Sequence, residues 1–337
     1  MPRIRSLCLP PVLSILPLLL VVSALAACSP RVTLFPDGSE PLLEQVLEGS
    51  ASEKVLLVEA SGTVSDQPRQ GLLGSRPSMV QEIVSRLKLA EKDDAVRAVI
   101  LKINSPGGGV TASDILHHEL TEFRKRTTKP VVALFMDVAA SGGYYIALPA
   151  DRIVCHPTSV TGSVGAVVFL PRVDGLLEKL GVNVDVAKSG RNKDMGSPFR
   201  QSTEEERALA QTLINEMGGR FQRLVREARH LDDAAMETVA TARIFTAQQA
   251  LELGLVDQLG YLQDAFAEAR ALAELPDDAR LVAYRGAPQA NDTPYNAASG
   301  PSPDRPALVD AGVLGAALEQ SFPRQAGVYY LWLPNGD

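Results

Sequence analysis

The chain predicts an α/β fold, on three observations. Short apolar, β-branched runs recur at Lys54–Ala60, Ala98–Ile103 and Val131–Val138. Each run closes in a turn of small, polar or glycine residues, and stretches with helical spacing lie between them. That alternation builds a sheet flanked by helices and leaves reactive groups at strand ends.

The elements follow in order. Lys54–Ala60 is bounded by Ser61-Gly62 and reads as a buried strand. From Ser78 to Lys92, Val80, Ile83, Val84 and Leu87 keep helical spacing. The strand Ala98–Ile103 closes at Asn104-Ser105-Pro106-Gly107-Gly108-Gly109, after which Thr111 or Ser113 can cap a helix through Leu116 and Leu120. Val131–Val138 runs into Ala140-Ser141-Gly142-Gly143, and a helix is expected after Ser141. Arg152–Cys155 is strand-like, and Val186 begins another expected strand that runs into a loop carrying Lys193. Thr203 followed by Glu204-Glu205-Glu206 is a strong helix start. Leu209, Leu213, Met217, Phe221 and Val225 then form an apolar stripe, read as scaffold with an oligomer contact as the alternative.

The ends read differently. Arg3 and Arg5 precede an uncharged run, Ser6–Ala27, and Leu25-Ala26-Ala27-Cys28 supplies small residues before a cleavage point. This is the pattern of a secretory signal over residues 1–27, with an uncut signal anchor as the alternative. Leu-Ala-Ala-Cys also resembles a bacterial lipobox, which implies lipid on Cys28 and a membrane-anchored protein of the cell envelope, facing the periplasm or the exterior. Residues 28–52 read as a polar spacer, 53–284 as the main domain and 285–337 as a connector and tail. In the tail, Ala307–Leu318 is an expected helix, and Val328–Leu333, with the only tryptophan, an expected strand packing on its own domain or a neighbour. Cys8 leaves with the signal and Cys28 takes lipid, so Cys155 has no disulfide partner and reads as a small buried side chain.

A net charge of −7 argues against a non-specific nucleic-acid binder. No metal-ligand spacing is visible and no cofactor is expected. The chemistry points elsewhere. A serine hydroxyl is a poor nucleophile until a neighbouring base takes its proton, and a lysine amine held neutral can be that base. Ser141 sits at a strand end, with helix capping as its ordinary alternative. Ser105, Ser163, Ser189 and Ser197 compete as turn hydroxyls, and Lys188 competes with Lys193. Of the four histidines, His117 and His118 lie on an expected exposed helix and His230 among arginines. His156 is the one candidate for a triad, with a structural role preferred. Gly107–Gly109 can bring backbone N–H groups close to a carbonyl oxygen, or can be a turn shaped by sterics alone. Asp194 creates a tension, because a carboxylate against Lys193 would favour the protonated amine, so its side chain is expected to point away.

Five motifs occur in order: Ser-Pro-Gly-Gly-Gly at 105–109, Ala-Ser-Gly-Gly-Tyr-Tyr at 140–145, Thr-Gly-Ser-Val-Gly at 161–165, Lys-Ser-Gly-Arg-Asn-Lys-Asp at 188–194 and Phe-Thr-Ala-Gln-Gln-Ala-Leu-Glu-Leu-Gly-Leu-Val-Asp at 245–257. The succession resembles the signal peptide peptidase A family of serine peptidases, peptidase family S49, from Lys54 to Arg270. The resemblance implies a ClpP- and crotonase-like α/β fold, a superhelix of repeated β-β-α units. It implies Ser141 as nucleophile, Lys193 as base, Gly108 and Gly142 as oxyanion donors, and Ser163 as the residue that orients the lysine. Substrates would be cleaved signal peptides or other extended apolar peptides. Family members with two halves take serine from one half and lysine from the other. With no internal repeat, this chain is expected to form a ring-like homo-oligomer with sites between protomers. The alternatives are an inactive scaffolding lipoprotein and an acyl-CoA enzyme of the crotonase type.

Overall fold

The computed structural model describes residues 41–71, 74–286, 292–295 and 328–332. The signal, Cys28 and the expected helix at 307–318 lie outside the described residues.

A mostly parallel sheet forms the frame. Its strands are β1 (Leu43–Glu48), β2 (Lys54–Ser61), β5 (Val96–Ser105), β7 (Val131–Ala140), β8 (Arg152–Cys155), β9 (Val160–Gly162), β11 (Ile244–Thr246), β12 (Gln258–Leu259) and β13 (Arg280–Arg285). The order is β1-β13-β2-β5-β7-β8-β12, with β9 beside the end of β7 and β11 beside β9. Pairings from β13 through β12 are parallel, and β1 closes the β13 edge antiparallel. A hairpin, β3 (Arg69–Gly71) with β4 (Gly74–Arg76), stands apart. A second small sheet joins β6 (Gly107–Gly109), β10 (Val167–Val168) and β14 (Val328–Leu331).

Helices cover both faces of the large sheet because its strands are apolar on both sides. Leu56, Val58, Leu101, Ala133 and Phe135 face α1 (Met79–Lys92) and α2 (Val110–Thr127), meeting Ile83, Leu116 and Phe123. Val55, Leu57, Ile100, Val132 and Leu134 point the other way, onto Leu262, Ala265 and Phe266 of α8 (Leu262–Leu272). The remaining helices are α3 (Gly142–Tyr145), α4 (Asp174–Lys179), α5 (Glu204–Arg229), α6 (Asp233–Val239) and α7 (Ala247–Glu252). The expected start of α5 is realised: the Thr203 hydroxyl accepts from the Glu206 N–H, and Glu206 reaches back to the Thr203 N–H.

Two expectations change. Residues 43–48, read as spacer, form β1, whose Leu43 to Val46 pair with Arg285 to Val282. The strand expected from Val186 does not form: residues 182–188 adopt no regular structure, and Val182, Val184 and Val186 are exposed. Their alternation suits a strand, but no described segment of the chain offers them a ladder partner.

Asp257 locks α5 to the sheet. Its carboxylate accepts from the Arg229 guanidinium at 2.8 and 3.1 Å and from the Ile153 N–H at 2.6 Å. Burial alone would raise this carboxyl, but Arg229 and the Ile153 N–H outweigh it and hold it below the ordinary 3.8. A carboxyl depressed in the folded state contributes stability above its unfolded pKa, lost as pH falls through the folded value. Asp257→Asn is therefore expected to lower stability at pH 7 by about 3 kcal/mol. Thermal unfolding of both proteins from pH 7 to below the ordinary aspartate value should show that gap narrowing.

Candidate active site

The end of β7 makes a sharp turn at Ser141. The residue has φ 53° and ψ −118°, a conformation costing a non-glycine residue about 1–3 kcal/mol. It is held by its own backbone: the Ser141 N–H donates to the Gly162 carbonyl at 2.8 Å, and its carbonyl accepts from the Tyr145 N–H at 2.9 Å. The side chain does not cap α3, so the ordinary capping role is not taken. Its Oγ is buried and has no hydrogen-bond partner among the described residues. A hydroxyl left so pays its desolvation without return, which structures tolerate where the group has other work.

The glycine run lies against this turn. Gly107 has φ 102°, and a Cβ there would stand 2.0 Å from the Tyr330 carbonyl oxygen and 2.7 Å from the Gly142 nitrogen. One on Gly108 would stand 2.0 Å from the Val64 carbonyl oxygen. Steric need at Gly107 and Gly108 therefore coincides with backbone crowding at the serine. The turn reading and the functional reading of this run describe one arrangement.

A peptide strand already lies across it. β14 runs antiparallel to β6, with Tyr330 opposite Gly108 and Leu331 opposite Gly107, and antiparallel to β10 on its other edge. The Trp332 N–H extends the ladder to the Pro106 carbonyl at 2.8 Å. The Tyr330 carbonyl oxygen lies 3.0 Å from where a Cβ on Gly142 would stand. The Tyr330 ring is fully buried, stacked on Tyr145 at 5.0 Å and beside Phe221 at 4.9 Å, and its hydroxyl donates to the Met217 carbonyl at 2.8 Å. Tyr145 is fixed in turn, donating to Asp114 at 2.6 Å, a carboxylate that also pairs with Arg220. Burial first, then Asp114, pushes the Tyr145 phenol up and keeps it protonated. The β-branched and aromatic run Val328–Leu331 signals a strand, but nothing in the sequence signals its partner.

The other expected residues divide into two groups. Ser163, at φ 53°, follows the glycine whose carbonyl holds Ser141, and its N–H donates to the Arg243 carbonyl at 2.9 Å. The fold thus gathers Gly108, Ser141, Gly142 and Ser163. Lys193 is not gathered: it is exposed, with no side-chain hydrogen bond or ion pair among the described residues. Within one chain, Ser141 Oγ and Lys193 Nζ are not bonded to each other. Lys188 is engaged by Asp194 at 2.6 Å. Asp194 also pairs with Arg200, so its carboxylate faces those cations, as expected.

The histidines and Cys155 stand aside. His156 Nδ1 bonds Thr158 Oγ1 at 2.9 Å and its ring meets Tyr261. His117, expected on an exposed face, instead packs edge-on against Tyr145, where burial lowers its pKa. Burial pushes the Cys155 thiol up to about 11, the state of an inert core cysteine. Among the described residues no cluster of His, Cys, Asp and Glu could hold a metal ion.

Known proteins carry the same pattern. The family model described as peptidase family S49 matches residues 123–276, and that described as Clp protease matches residues 74–160. A protein of Enterococcus faecium named for signal peptide peptidase SppA is 35% identical, over 76% of this chain and 73% of its own. The chain belongs to peptidase family S49. Protease 4 of Haemophilus influenzae is 30% identical over 72% of this S49 peptidase and 39% of its own length. The chloroplastic serine protease SPPA of Arabidopsis thaliana is 31% identical over 66% and 33%. The S49 chain is accordingly a serine peptidase with an α/β, ClpP-like fold.

Because β14 fills the groove between β6 and β10, removing residues 328–337 should open it. A serine-directed fluorophosphonate is expected to label the truncated protein several times faster than the full chain, with the label on Ser141. Equal rates would mean that β14 does not limit access.

Proposed function

We propose that this peptidase is a membrane-anchored serine endopeptidase that cuts extended apolar peptides, such as cleaved signal peptides, with a Ser141–Lys193 dyad. One observation carries the reading: a strained, buried and unpartnered serine hydroxyl sits beside a glycine strand over which a peptide strand lies. Ser141 Oγ attacks the peptide carbonyl carbon while the neutral Lys193 amine takes its proton. The Gly108 and Gly142 N–H groups receive the oxyanion, each worth a few kcal/mol of barrier. Lys193 then protonates the departing amine. Water, deprotonated by the same amine, releases the acyl group and restores the serine. Ser163 orients the lysine.

The dyad is shared between copies. Lys193 stands out from its own domain on a segment with exposed apolar side chains, including Leu180, Val184 and Phe199, and Leu209 and Leu213 at the start of α5 are exposed too. A head-to-tail ring covers such a surface and brings each lysine to the next copy's serine through one repeated contact. Residues 53–284 form the peptidase domain, with β1 completing its sheet. Residues 1–27 are the signal and lipid on Cys28 is the anchor at the cell envelope. No helix among the described residues is long and apolar enough to cross a membrane.

Ser141→Ala and Lys193→Met are each expected to abolish peptidase activity with the fold retained, and Lys193→Arg should fail because a guanidinium stays protonated. Co-assembling the first two in equal amounts should restore activity, since roughly a quarter of the contacts then pair intact serine with intact lysine. Silence from confirmed mixed oligomers would place both groups in one chain.

The anchor has its own measurement. Cys28→Ala should accumulate as uncleaved precursor and take up no labelled palmitate. Equal labelling of variant and wild type would remove Cys28 as the lipid site.

A further inference from the structure

Residues 182–203 form neither helix nor strand, and the backbone bonds around Lys193 are local turns. Lys193 N–H reaches Gly190 O at 3.1 Å, Met195 N–H reaches Asn192 O at 3.1 Å, and Ser197 N–H reaches Asp194 O at 3.0 Å. Turns of this kind give Lys193 little purchase on the domain. A chain of side chains supplies it.

Asp194 is the first link. Its Oδ1 accepts from Lys188 Nζ at 2.6 Å and its Oδ2 from Arg200 Nε at 2.8 Å. Arg200 turns the other side of its fork to Glu206, donating to Oε2 at 2.8 Å and also to Oε1. Glu206 is buried at the start of α5 and closes the capping box with Thr203. Further along, α5 places Phe221 and Val225 in the core. A continuous set of charged contacts thus runs from the first turn of a core helix to the residue next to Lys193.

We propose that Asp194 is the positioning residue for Lys193, held by Arg200 and Glu206 so that it fixes the lysine's turn while keeping its own carboxylate off the amine. The proposal rests on Lys193 being the base. Both effects matter to that task. A base misplaced by about 1 Å costs on the order of a hundredfold in rate. A carboxylate on the amine would favour the charged form, which cannot accept a proton. With Asp194 committed to Lys188 and Arg200, neither loss occurs. The charged groups around the turn are Lys188, Arg191 and Arg200 of the segment itself, Glu205 and Glu206 from α5, and the Arg172–Asp174 pair at α4. The α4 end is joined to the segment by the Val173 N–H on the Pro198 carbonyl at 2.8 Å. Glu205 takes Arg191 and Asn192 at 2.6 and 3.2 Å, which leaves Asp194 as the carboxylate next in line to Lys193.

Peptidase kinetics of the full-length protein on a fluorogenic extended apolar peptide, across pH, test this. Asp194→Asn should lower kcat at least about tenfold with KM within about twofold, the signature of a lost transition-state contribution. It should also move the acid limb of the pH profile to lower pH, because Lys188 and Arg200 lose their counter-charge near the amine. Arg200→Lys keeps the charge but cannot fork between Asp194 and Glu206, so kcat should fall with the limb unmoved. Arg191→Ala, at the outer edge of the same segment, should stay within about twofold in kcat. Thermal midpoints of all variants report folding.

Lys193→Met is the reference. If it is inactive while Asp194→Asn and Arg200→Lys keep wild-type kcat, the positioning role is overturned and the base assignment stands. If Asp194→Asn loses kcat only in step with its thermal midpoint and with the limb unmoved, the role is structural and the proposal fails. If Lys193→Met keeps turnover, the base assignment fails and takes the proposal with it.

Discussion

Three backbone segments meet at Ser141 with no room for side chains between them, and the rest of the site depends on that contact. The end of β5 and the glycine run come from one side, the turn from β7 to α3 from another, and Gly162 from a third. A Cβ on Gly143 would stand 2.5 Å from the Ser105 carbonyl oxygen, again too close, though less so than the 2.0 Å beside Gly107. The Ser141 N–H on Gly162 holds the serine in a conformation it would not choose alone. The large buried sheet supplies the stability that makes this affordable, since β7 is flanked by β5 and β8 and covered on both faces.

The groove beside this contact is shaped for an extended chain. β6 and β10 each present an open edge, and β14 satisfies both at once. Backbone pairing of this kind accepts many sequences, and the rings of Tyr145 and Phe221 form a pocket for the Tyr330 side chain. Its walls are rigid because each ring is tied elsewhere: Tyr145 to Asp114, Asp114 to Arg220, and Phe221 into the core through α5. The helix that builds this wall also anchors Arg200 at its start through Glu206. One element therefore sets both the groove that holds β14 and the frame of the segment that carries Lys193.

Charge is used where backbone structure gives out. Over residues 182–203 the alternating valines have no strand partner among the described residues, and the ion pairs of Asp194, Arg200 and Glu206 take over the task of holding shape. Glu206 illustrates the economy. The Arg200 guanidinium above all, and then the Thr203 N–H, hold its carboxyl down to about 2, so it stays charged while buried at a helix start.

The sequence by itself determined the α/β frame, because apolar runs of strand length and helical spacing are local patterns that a buried sheet can satisfy in few ways. The small-residue turn at Ser141, the glycine run at 107–109 and the cap of α5 were legible as local patterns, whereas what requires glycine at 107 and 108 is the close approach of Tyr330 and Val64, distant in sequence. Val328–Leu331 was legible as a strand and Val186 was read as the start of one, yet only the first became one. Pairing is a property of what lies alongside, and the tertiary structure gave β14 two partners and gave Val186 none among the described residues. The same holds for the charges. Whether Asp194 faced Lys193 or turned from it could not be read from adjacency, since Arg200 and Glu206 compete for it through space. The tertiary structure decided the direction of that carboxylate, the burial of His117 against Tyr145, and the separation of Lys193 from the serine of its own chain, because each depends on contacts between segments distant in sequence.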